Sequence, residues 1–110
     1  SDDMIISAGY NIAGPEVEAA LLSHAAVAEC GVVGCPDEDR GQIVKAYVVL
    51  RAGETGDAAL TKVLQDHVKA AIAPYKYPRA IEYLPALPRT EVGKLQRYKL
   101  RNAASDTGAR

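Results

Sequence analysis

Cysteine and histidine are scarce in this sequence, with two residues of each type among 110. Cys30 and Cys35 fit neither a CxxC redox motif nor a zinc-ligand pattern, and no histidine pair accompanies them. We therefore expect two reduced structural thiols, and with them a reducing compartment such as the cytoplasm. No signal peptide is visible and no apolar run is long enough to cross a bilayer, so we expect no membrane span.

An excess of charge of either sign is also lacking, because 13 Lys and Arg residues face 14 Asp and Glu residues. No global field therefore draws the chain to nucleic acid or to an anionic membrane. With 48% hydrophobic residues the composition argues against disorder, and a length of 110 residues suits one compact domain rather than a large substrate-holding enzyme. The chain starts at Ser1, and its first methionine, Met4, lies inside an apolar run, which is typical of an excised piece.

Hydrophobic periodicity predicts an α+β fold, in which a small mixed sheet of about three strands carries helices and follows a short N-terminal two-stranded hairpin. Alternation is clearest at residues 43–50, where Val44, Ala46 and Val48 share one face of a strand while Lys45 and Tyr47 point the other way. Other strands are expected at residues 4–6, 27–33 and 80–84, and helices at residues 15–24, 58–73 and 96–102.

The segments between these elements are also predicted. We expect a polar loop at residues 34–41, an extended connector at residues 75–78 and a frayed tail at residues 103–110. Residues 1–110 thus form a single domain. The apolar stripe predicted for the second helix consists of Leu60, Val63, Leu64, His67, Ala71 and Ile72.

The first candidate for chemistry is the loop around Lys94. Proline and glycine favour an exposed loop, and Gly93 allows the backbone to approach a ligand closely. The ammonium of Lys94 suits a position between a phosphate oxygen and a carboxylate, where it stabilises developing negative charge. A P-loop is excluded, because Leu95 follows the lysine and Pro88 stands where that motif requires glycine. On local sequence alone, a solvated surface lysine remains the alternative.

Other candidates are weaker on local sequence. Gly9 lies between small and aromatic residues and could line a narrow channel, although an ordinary hairpin turn gives the same pattern. Arg40 lies in an acidic loop, where it could pair with Asp37 or face a phosphate. Lys69 lies on the polar face of a helix, where a solvated charge is the default. His24 and His67 are expected to be structural, and Tyr75 and Tyr77 could stack on an adenine or pack against the sheet.

Two segments together carry a resemblance. Residues 2–12 read Asp-Asp-Met-Ile-Ile-Ser-Ala-Gly-Tyr-Asn-Ile, with Glu-Val-Glu at residues 16–18, and residues 88–97 read Pro-Arg-Thr-Glu-Val-Gly-Lys-Leu-Gln-Arg. With supporting matches at residues 36–41 and 73–78, residues 1–102 resemble the C-terminal domain of the adenylate-forming superfamily. This superfamily includes acyl-CoA synthetases, luciferases and the adenylation domains of peptide synthetases. Within it, the chain is most similar to two groups: medium-chain acyl-CoA ligases, and aryl-CoA ligases that act on benzoate or aminobenzoate.

The resemblance implies a two-step ligase reaction. A carboxylic acid and ATP give an acyl-adenylate and pyrophosphate, and the thiol of CoA then displaces AMP. It also implies that residues 1–110 form a lid that swings on a hinge against an N-terminal domain. That partner domain holds the ATP and acyl pockets and most ligands of the Mg²⁺ that accompanies ATP, so the isolated lid is expected to be nearly inactive and its acyl substrate cannot be read from it.

The resemblance also implies roles for individual residues. It makes Asp2 the hinge and Lys94 the catalytic lysine of adenylation. Three residues match the loop that replaces this lysine near the pantetheine channel, and two more match positions that can hold the phosphates of CoA. The loop residues are Ala8, Gly9 and Tyr10, and the phosphate positions are Arg40 and Lys69.

The sequence departs from the family pattern at two places within the chain. Val92 stands where a small hydroxyl residue is usual before the Gly-Lys pair, which could cost the loop one hydrogen bond. Asn11 stands where close relatives often carry a basic residue, so one contact to CoA or the acyl group could be absent. Two alternatives stay open: an adenylation domain that passes the acyl group to a carrier protein, and a stand-alone small α+β binding module without a catalytic role.

Overall fold

The computed structural model describes residues 3–107, and within them the chain alternates between short strands and helices. In chain order the elements are β1 (Met4–Ser7), β2 (Tyr10–Ala13), α1 (Gly14–Leu22), β3 (Val27–Asp37), β4 (Gly41–Leu50), α2 (Ala58–Ala71), a 3₁₀ turn (Pro74–Lys76), β5 (Ala80–Tyr83) and α3 (Arg97–Thr107). Asp2, the predicted hinge, lies outside the described residues.

The strands form two separate small sheets, as expected. Strands β1 and β2 pair as an antiparallel hairpin in which Ile6 lies opposite Asn11. The second sheet has the order β3-β4-β5, with β3 antiparallel and β5 parallel to β4. The parallel pair needs a crossover connection, which α2 supplies. The predicted α+β fold with a small mixed sheet is therefore confirmed.

Both faces of the three-stranded sheet are buried. The predicted apolar face of β4 is confirmed, because Val44, Ala46 and Val48 belong to a core that also includes residues of α1 and α2. Tyr47 points into a second core on the opposite face, under α3, and the neighbouring Lys45 is 3% exposed and paired with Glu82 at 3.1 Å. A strand covered on both faces explains the nearly continuous apolar run of β4.

The prediction of a loop at residues 34–41 is wrong for the first half of that range. Strand β3 continues to Asp37, and only residues 38–40 form the turn into β4. The extension is stabilised by Cys35, which is fully buried in the second core and donates its S–H to the carbonyl of Ala104 at 3.6 Å. The helix that covers Cys35 lies far along the sequence, so local composition gave no sign of it.

The frayed tail predicted at residues 103–110 is also wrong as far as the described residues reach. Helix α3 runs to Thr107, and Ala104 is fully buried against the sheet. Gly31 allows this packing, because a Cβ there would lie 2.6 Å from Cδ1 of Leu100. The absence of a side chain on β3 thus lets the last helix lie close to the strand.

Two further expectations need adjustment. In α2 the buried residues are Leu64 and Val68, whereas Val63 from the predicted stripe is 48% exposed and Ala71 is also exposed. The connector predicted as extended contains the 3₁₀ turn Pro74–Lys76. Pro74, at the start of this turn, has a fixed φ that suits a helical turn. This local preference outweighs the extended preference of residues that precede a proline. None of the helices within residues 3–107 is long and apolar enough to cross a membrane.

Candidate functional site

The loop that carries Lys94 is a short hairpin. Arg89 and Leu95 form an isolated antiparallel bridge across its base. The N–H of Gly93 donates to the carbonyl of Thr90 at 2.9 Å, and Gly93 has a φ of +86°. A β-turn followed by a residue with positive φ is a common three-residue hairpin connection, and glycine takes that conformation without strain. The predicted exposed loop is therefore a defined turn rather than an irregular segment.

The backbone of Lys94 is held by Thr90 on both sides. Its N–H donates to Oγ1 of Thr90 at 3.1 Å, and its carbonyl accepts from the N–H of Thr90 at 2.9 Å. The side chain of Lys94 is exposed. Val92, the departure noted above, is 86% exposed at the tip, and the hydroxyl that binds Lys94 comes from Thr90. The loop thus fixes the main chain of the lysine while its ammonium remains accessible.

An arginine and a glutamate connect each side of this loop to the rest of the domain. On the side that enters the loop, Arg89 donates from Nε and Nη2 to Oε1 of Glu29 at 2.9 and 2.6 Å, and from Nη1 to the carbonyl of Gly93 at 2.9 Å. On the side that leaves it, Arg97 donates from Nε to Oε2 of Glu18 at 2.9 Å and from Nη2 to Oε1 of the same carboxylate.

The pair between Arg97 and Glu18 is partly buried. Glu18 is 8% exposed. Its Oε2 also accepts the N–H of Val32 at 2.8 Å, and this N–H lies on the edge of β3 that faces away from β4. The hydrogen bond to Glu18 raises the pKa of Arg97, so the guanidinium stays charged. A second carboxylate, Asp3, lies 3.9 Å from Nη1 of Arg97. One carboxylate therefore joins α1, β3 and α3 at the end of the lysine loop.

Sequence reasoning assigned no role to the four residues of these two pairs, which are Arg89, Glu29, Arg97 and Glu18. One signal was available: Glu18 follows Val17 and precedes Ala20 on the apolar face of α1, where an unpaired carboxylate would be costly. A partner was therefore to be expected. Its identity was not, because Glu18 and Arg97 are 79 positions apart.

The second candidate loop is the turn of the N-terminal hairpin. Ala8 and Gly9 both have positive φ, at +50° and +84°, which makes this a two-residue turn of type I′. Alanine pays a steric cost in this conformation, on the order of 1 kcal/mol. The exposed turn is held by Arg40, whose carbonyl accepts the N–H of Ala8 at 2.9 Å and whose Nε donates to Oγ of the buried Ser7 at 3.1 Å.

The structure thus brings Arg40 next to the turn of Ala8 and Gly9. The pairing of Arg40 with Asp37 that was considered above takes a different form. The carboxylate of Asp37 accepts the backbone N–H of Arg40 at 2.9 Å and that of Asp39 at 3.2 Å. Asp37 therefore shapes the turn between β3 and β4, while the guanidinium of Arg40 reaches Ser7.

The remaining candidates lie around the C-terminal end of α2. Tyr10 stacks on Tyr75 with ring centroids 4.4 Å apart, which connects the hairpin to the 3₁₀ turn. Nζ of Lys69 lies 4.3 Å from the ring centroid of Tyr77 and 3.9 Å from a carboxylate oxygen of Asp66. Lys69 is therefore engaged with its neighbours rather than simply solvated, and it remains about 40% exposed. His67 bonds Oγ of Ser23 at 2.7 Å and contacts His24 edge to face, and these contacts fit the structural roles predicted for both histidines.

The two candidate loops are attached near opposite ends of the same strand pair. Glu29, which holds the lysine loop, lies at the open end of β3, whereas Arg40 lies in the turn that joins β3 to β4. Glu29 and Asp37 are eight positions apart, which corresponds to roughly 26 Å at the rise of a β-strand. The two loops therefore present separate surfaces on one framework.

Comparisons with known proteins identify the family of the domain. Residues 16–94 match the family model described as AMP-binding enzyme C-terminal domain. The chain is 55% identical over 101 residues to the uncharacterized acyl-CoA ligase YtcI of Bacillus subtilis, covering 92% of this chain and 19% of that protein. It is 52% identical over 104 residues to the human mitochondrial acyl-coenzyme A synthetase ACSM4, covering 93% of this chain and 18% of that protein.

Solved structures give the same result. A Brucella canis acyl-CoA synthetase matches with a TM-score of 0.93 and 46% identity, over 96% of this chain and 20% of that one. The anthranilate CoA ligase AuaEII, solved with anthranoyl-AMP, matches with a TM-score of 0.88 and 42% identity, again over 96% of this chain and 20% of that one. The chain thus spans about a fifth of the length of its relatives. It belongs to the family of AMP-binding enzyme C-terminal domains.

Proposed function

We propose that this domain is the movable lid of an ATP-dependent acyl-CoA or aryl-CoA ligase. The complete enzyme would convert a carboxylic acid, ATP and CoA into acyl-CoA, AMP and pyrophosphate. The observation that carries the proposal is the placement of two hydrogen-bonded turns near opposite ends of the β3–β4 pair. One turn bears Lys94 and the other bears Gly9. Relatives of the chain that are named acyl-CoA synthetases and an anthranilate CoA ligase support the choice of reaction.

In the adenylation step, Lys94 is the proposed catalytic residue. Negative charge accumulates as the carboxylate attacks the α-phosphate of ATP, and a positioned ammonium stabilises it. The geometry suits this role, because the main chain of Lys94 is bonded on both sides to Thr90 while the side chain is exposed. Little main-chain reorganisation would be needed for the amine to reach the nucleotide.

In the thioester step, the turn of Ala8, Gly9 and Tyr10 would replace the lysine at the active site. A Cβ built on Gly9 meets nothing within 4 Å in this domain, so its surface is open to a narrow pantetheine arm. Arg40 uses Nε to hold Ser7, and its guanidinium carries further N–H donors that suit a phosphate of CoA. Lys69 is the second proposed phosphate contact.

The exchange of the two loops requires a large reorientation of the lid against its N-terminal partner domain. Asp2 is the proposed hinge. Within residues 3–107 no group of three or more His, Cys, Asp or Glu side chains converges as a metal-binding cluster. The Mg²⁺ that accompanies ATP is proposed to be bound mainly by the N-terminal domain. Two buried cysteines that form no disulfide with each other support a reducing compartment, and we propose the cytoplasm.

The proposal is tested by measuring the two half-reactions of the full-length enzyme separately. Lys94→Ala should reduce pyrophosphate exchange at least 100-fold, since one electrostatic contact to a developing charge contributes roughly 10²–10³-fold to the rate. Thioester formation from supplied acyl-adenylate should stay within about twofold of wild type. Lys99→Ala, at an exposed position on α3, is the matched control and should leave both steps unchanged. Equal losses in the two half-reactions of Lys94→Ala would refute the proposed role.

The acceptor and the acid are tested with the same enzyme. Thioester formation with free CoA is expected, and transfer only to a carrier protein would indicate the alternative adenylation domain. A panel of benzoate-type and medium-chain acids would then define the substrate, because the acyl pocket lies outside this chain.

A further inference from the structure

We propose that Arg89 is a positioning residue for Lys94, an inference that depends on the proposed role of Lys94 in adenylation. The guanidinium of Arg89 makes three hydrogen bonds that connect two parts of the domain. Two of them, from Nε and Nη2, reach one carboxylate oxygen of Glu29 on β3. The third runs from Nη1 to the carbonyl of Gly93 at 2.9 Å. Arg89 therefore joins the strand to the peptide that directly precedes the lysine.

The bond to Gly93 has a specific consequence for Lys94. The carbonyl of Gly93 and the N–H of Lys94 belong to the same planar peptide unit. Arg89 holds the oxygen of this unit, and Oγ1 of Thr90 accepts its N–H at 3.1 Å. Both polar atoms of this plane are thus held, and on the other side of Lys94 its carbonyl accepts from the N–H of Thr90 at 2.9 Å. With the peptide units on both sides of its Cα held, the direction in which the side chain of Lys94 leaves the main chain is fixed.

The properties of arginine fit this arrangement. Its donors lie in one plane in a rigid fork, so binding Glu29 through Nε and Nη2 also sets where Nη1 points. A lysine at the same position would supply one flexible point charge and could not hold both partners in fixed relative positions. Glu29 lies on the framework of the sheet, so the peptide before Lys94 is held to an element that does not belong to the loop.

The competing interpretation is an ordinary surface ion pair. The side chains of Arg89 and Glu29 are 37% and 41% exposed, and exposed pairs contribute little to stability. That interpretation predicts no difference between the two half-reactions. A positioning role predicts a loss confined to adenylation, because thioester formation does not use Lys94. It also predicts a fall in kcat at constant KM for ATP, since the amine acts on charge that develops in the transition state.

The experiment uses Arg89→Met, Arg89→Lys and Glu29→Gln in the full-length enzyme. Arg89→Met should lower kcat for pyrophosphate exchange 10- to 100-fold, as expected for a misplaced catalytic group. KM for ATP and thioester formation from supplied acyl-adenylate should stay within about twofold of wild type. Arg89→Lys should recover only part of the activity, and Glu29→Gln should give a smaller loss, because Arg89 keeps its bond to Gly93. Arg51→Met, in the exposed turn after β4, is the control and should leave both steps unchanged.

Adenylation by Arg89→Met within twofold of wild type, or equal losses in both half-reactions, would overturn the inference. If Arg89→Met fails to fold by circular dichroism, Glu29→Gln and Arg89→Lys decide the question by the same split between half-reactions. Lys94→Ala separates this inference from the proposed function. Loss of adenylation in Lys94→Ala but not in the Arg89 variants would refute the positioning role alone, whereas full adenylation in Lys94→Ala would refute the proposed function.

Discussion

Replacing Arg97 by methionine tests the buried contact that joins α1, β3 and α3. Methionine keeps much of the apolar length of the side chain and removes the charge. The carboxylate of Glu18, whose side chain is 10% exposed, would then keep the N–H of Val32 at 2.8 Å but lose both hydrogen bonds from the guanidinium. An almost fully buried negative charge would be left with one neutral donor.

The magnitude follows from burial. Breaking a buried ion pair costs roughly 3–5 kcal/mol, because the remaining charge is desolvated without compensation. Arg97 itself is 25% exposed, so water can partly replace it, and we expect a loss of about 3 kcal/mol at the low end of that range. For comparison, Arg89→Met breaks a pair in which both side chains are more than a third exposed, and its effect should stay below about 1 kcal/mol.

Urea unfolding of the 110-residue chain measures the difference. With an m-value of roughly 1–3 kcal/mol per M, Arg97→Met should lower the unfolding midpoint by about 1–3 M, and the shift for Arg89→Met should be less than about a third of that. The double variant Arg97→Met with Glu18→Gln should recover much of the loss, since glutamine removes the charge and still accepts from Val32. A loss for Arg97→Met no larger than that for Arg89→Met would refute this account of the contact.

Two further predictions concern the candidate CoA loop and the buried thiols. Gly9→Leu should block thioester formation while sparing pyrophosphate exchange. Gly53→Leu is its control, because both glycines have positive φ, at +84° and +89°, and neither has an atom within 4 Å of a built Cβ. The two variants therefore carry similar backbone strain, and only Gly9 lies in the proposed channel. An unchanged CoA step in Gly9→Leu would remove that assignment. Burial, followed by the charge of Glu18, raises the pKa of Cys30 from 9.0 to about 12. Because the folded state holds this proton more tightly, the resulting stabilisation is present below pH 9 and is lost as pH rises towards 12, by up to about 1.4 kcal/mol per pH unit. Urea unfolding at pH 8, 9 and 10 should therefore show a free energy of unfolding that declines more steeply for wild type than for Cys30→Ala. Parallel declines would contradict the assignment.

The sequence was most informative where local pattern and tertiary structure agree. Alternation at residues 43–50 correctly gave the central strand and the shared face of Val44, Ala46 and Val48, because a two-residue period follows directly from strand geometry. The three-stranded sheet and the hairpin were also predicted, from short apolar or β-rich runs bounded by turn-forming residues. The exposed turn at Lys94 was visible in its proline and glycine, although its proposed catalytic role came from the family resemblance and not from the residues alone.

The two largest errors, the lengths of β3 and α3, occur where a distant element decides the local structure. Strand β3 continues past residue 33 because α3 covers Cys35, and α3 continues past residue 102 because Ala104 packs on the same strand. Each extension depends on the other, so neither local sequence predicts it. Gly31 illustrates the difficulty: its role is to make room for Leu100, a residue about 70 positions later. Glycine in a strand interior reads from sequence as a weak point rather than as a packing site.

The arrangement of the two candidate loops limits how the lid could work. Both turns are fixed by hydrogen bonds to the β3–β4 pair or its turn, so neither can travel far without breaking them. Their attachment points are roughly 26 Å apart along the strand, a distance that movement of the side chain of Lys94 cannot span. If one active site is to be served by both loops, as we propose, the whole domain must turn as a rigid body. A hinge outside the sheet then meets two demands at once: it permits the large motion and leaves each loop in the geometry that its chemistry requires.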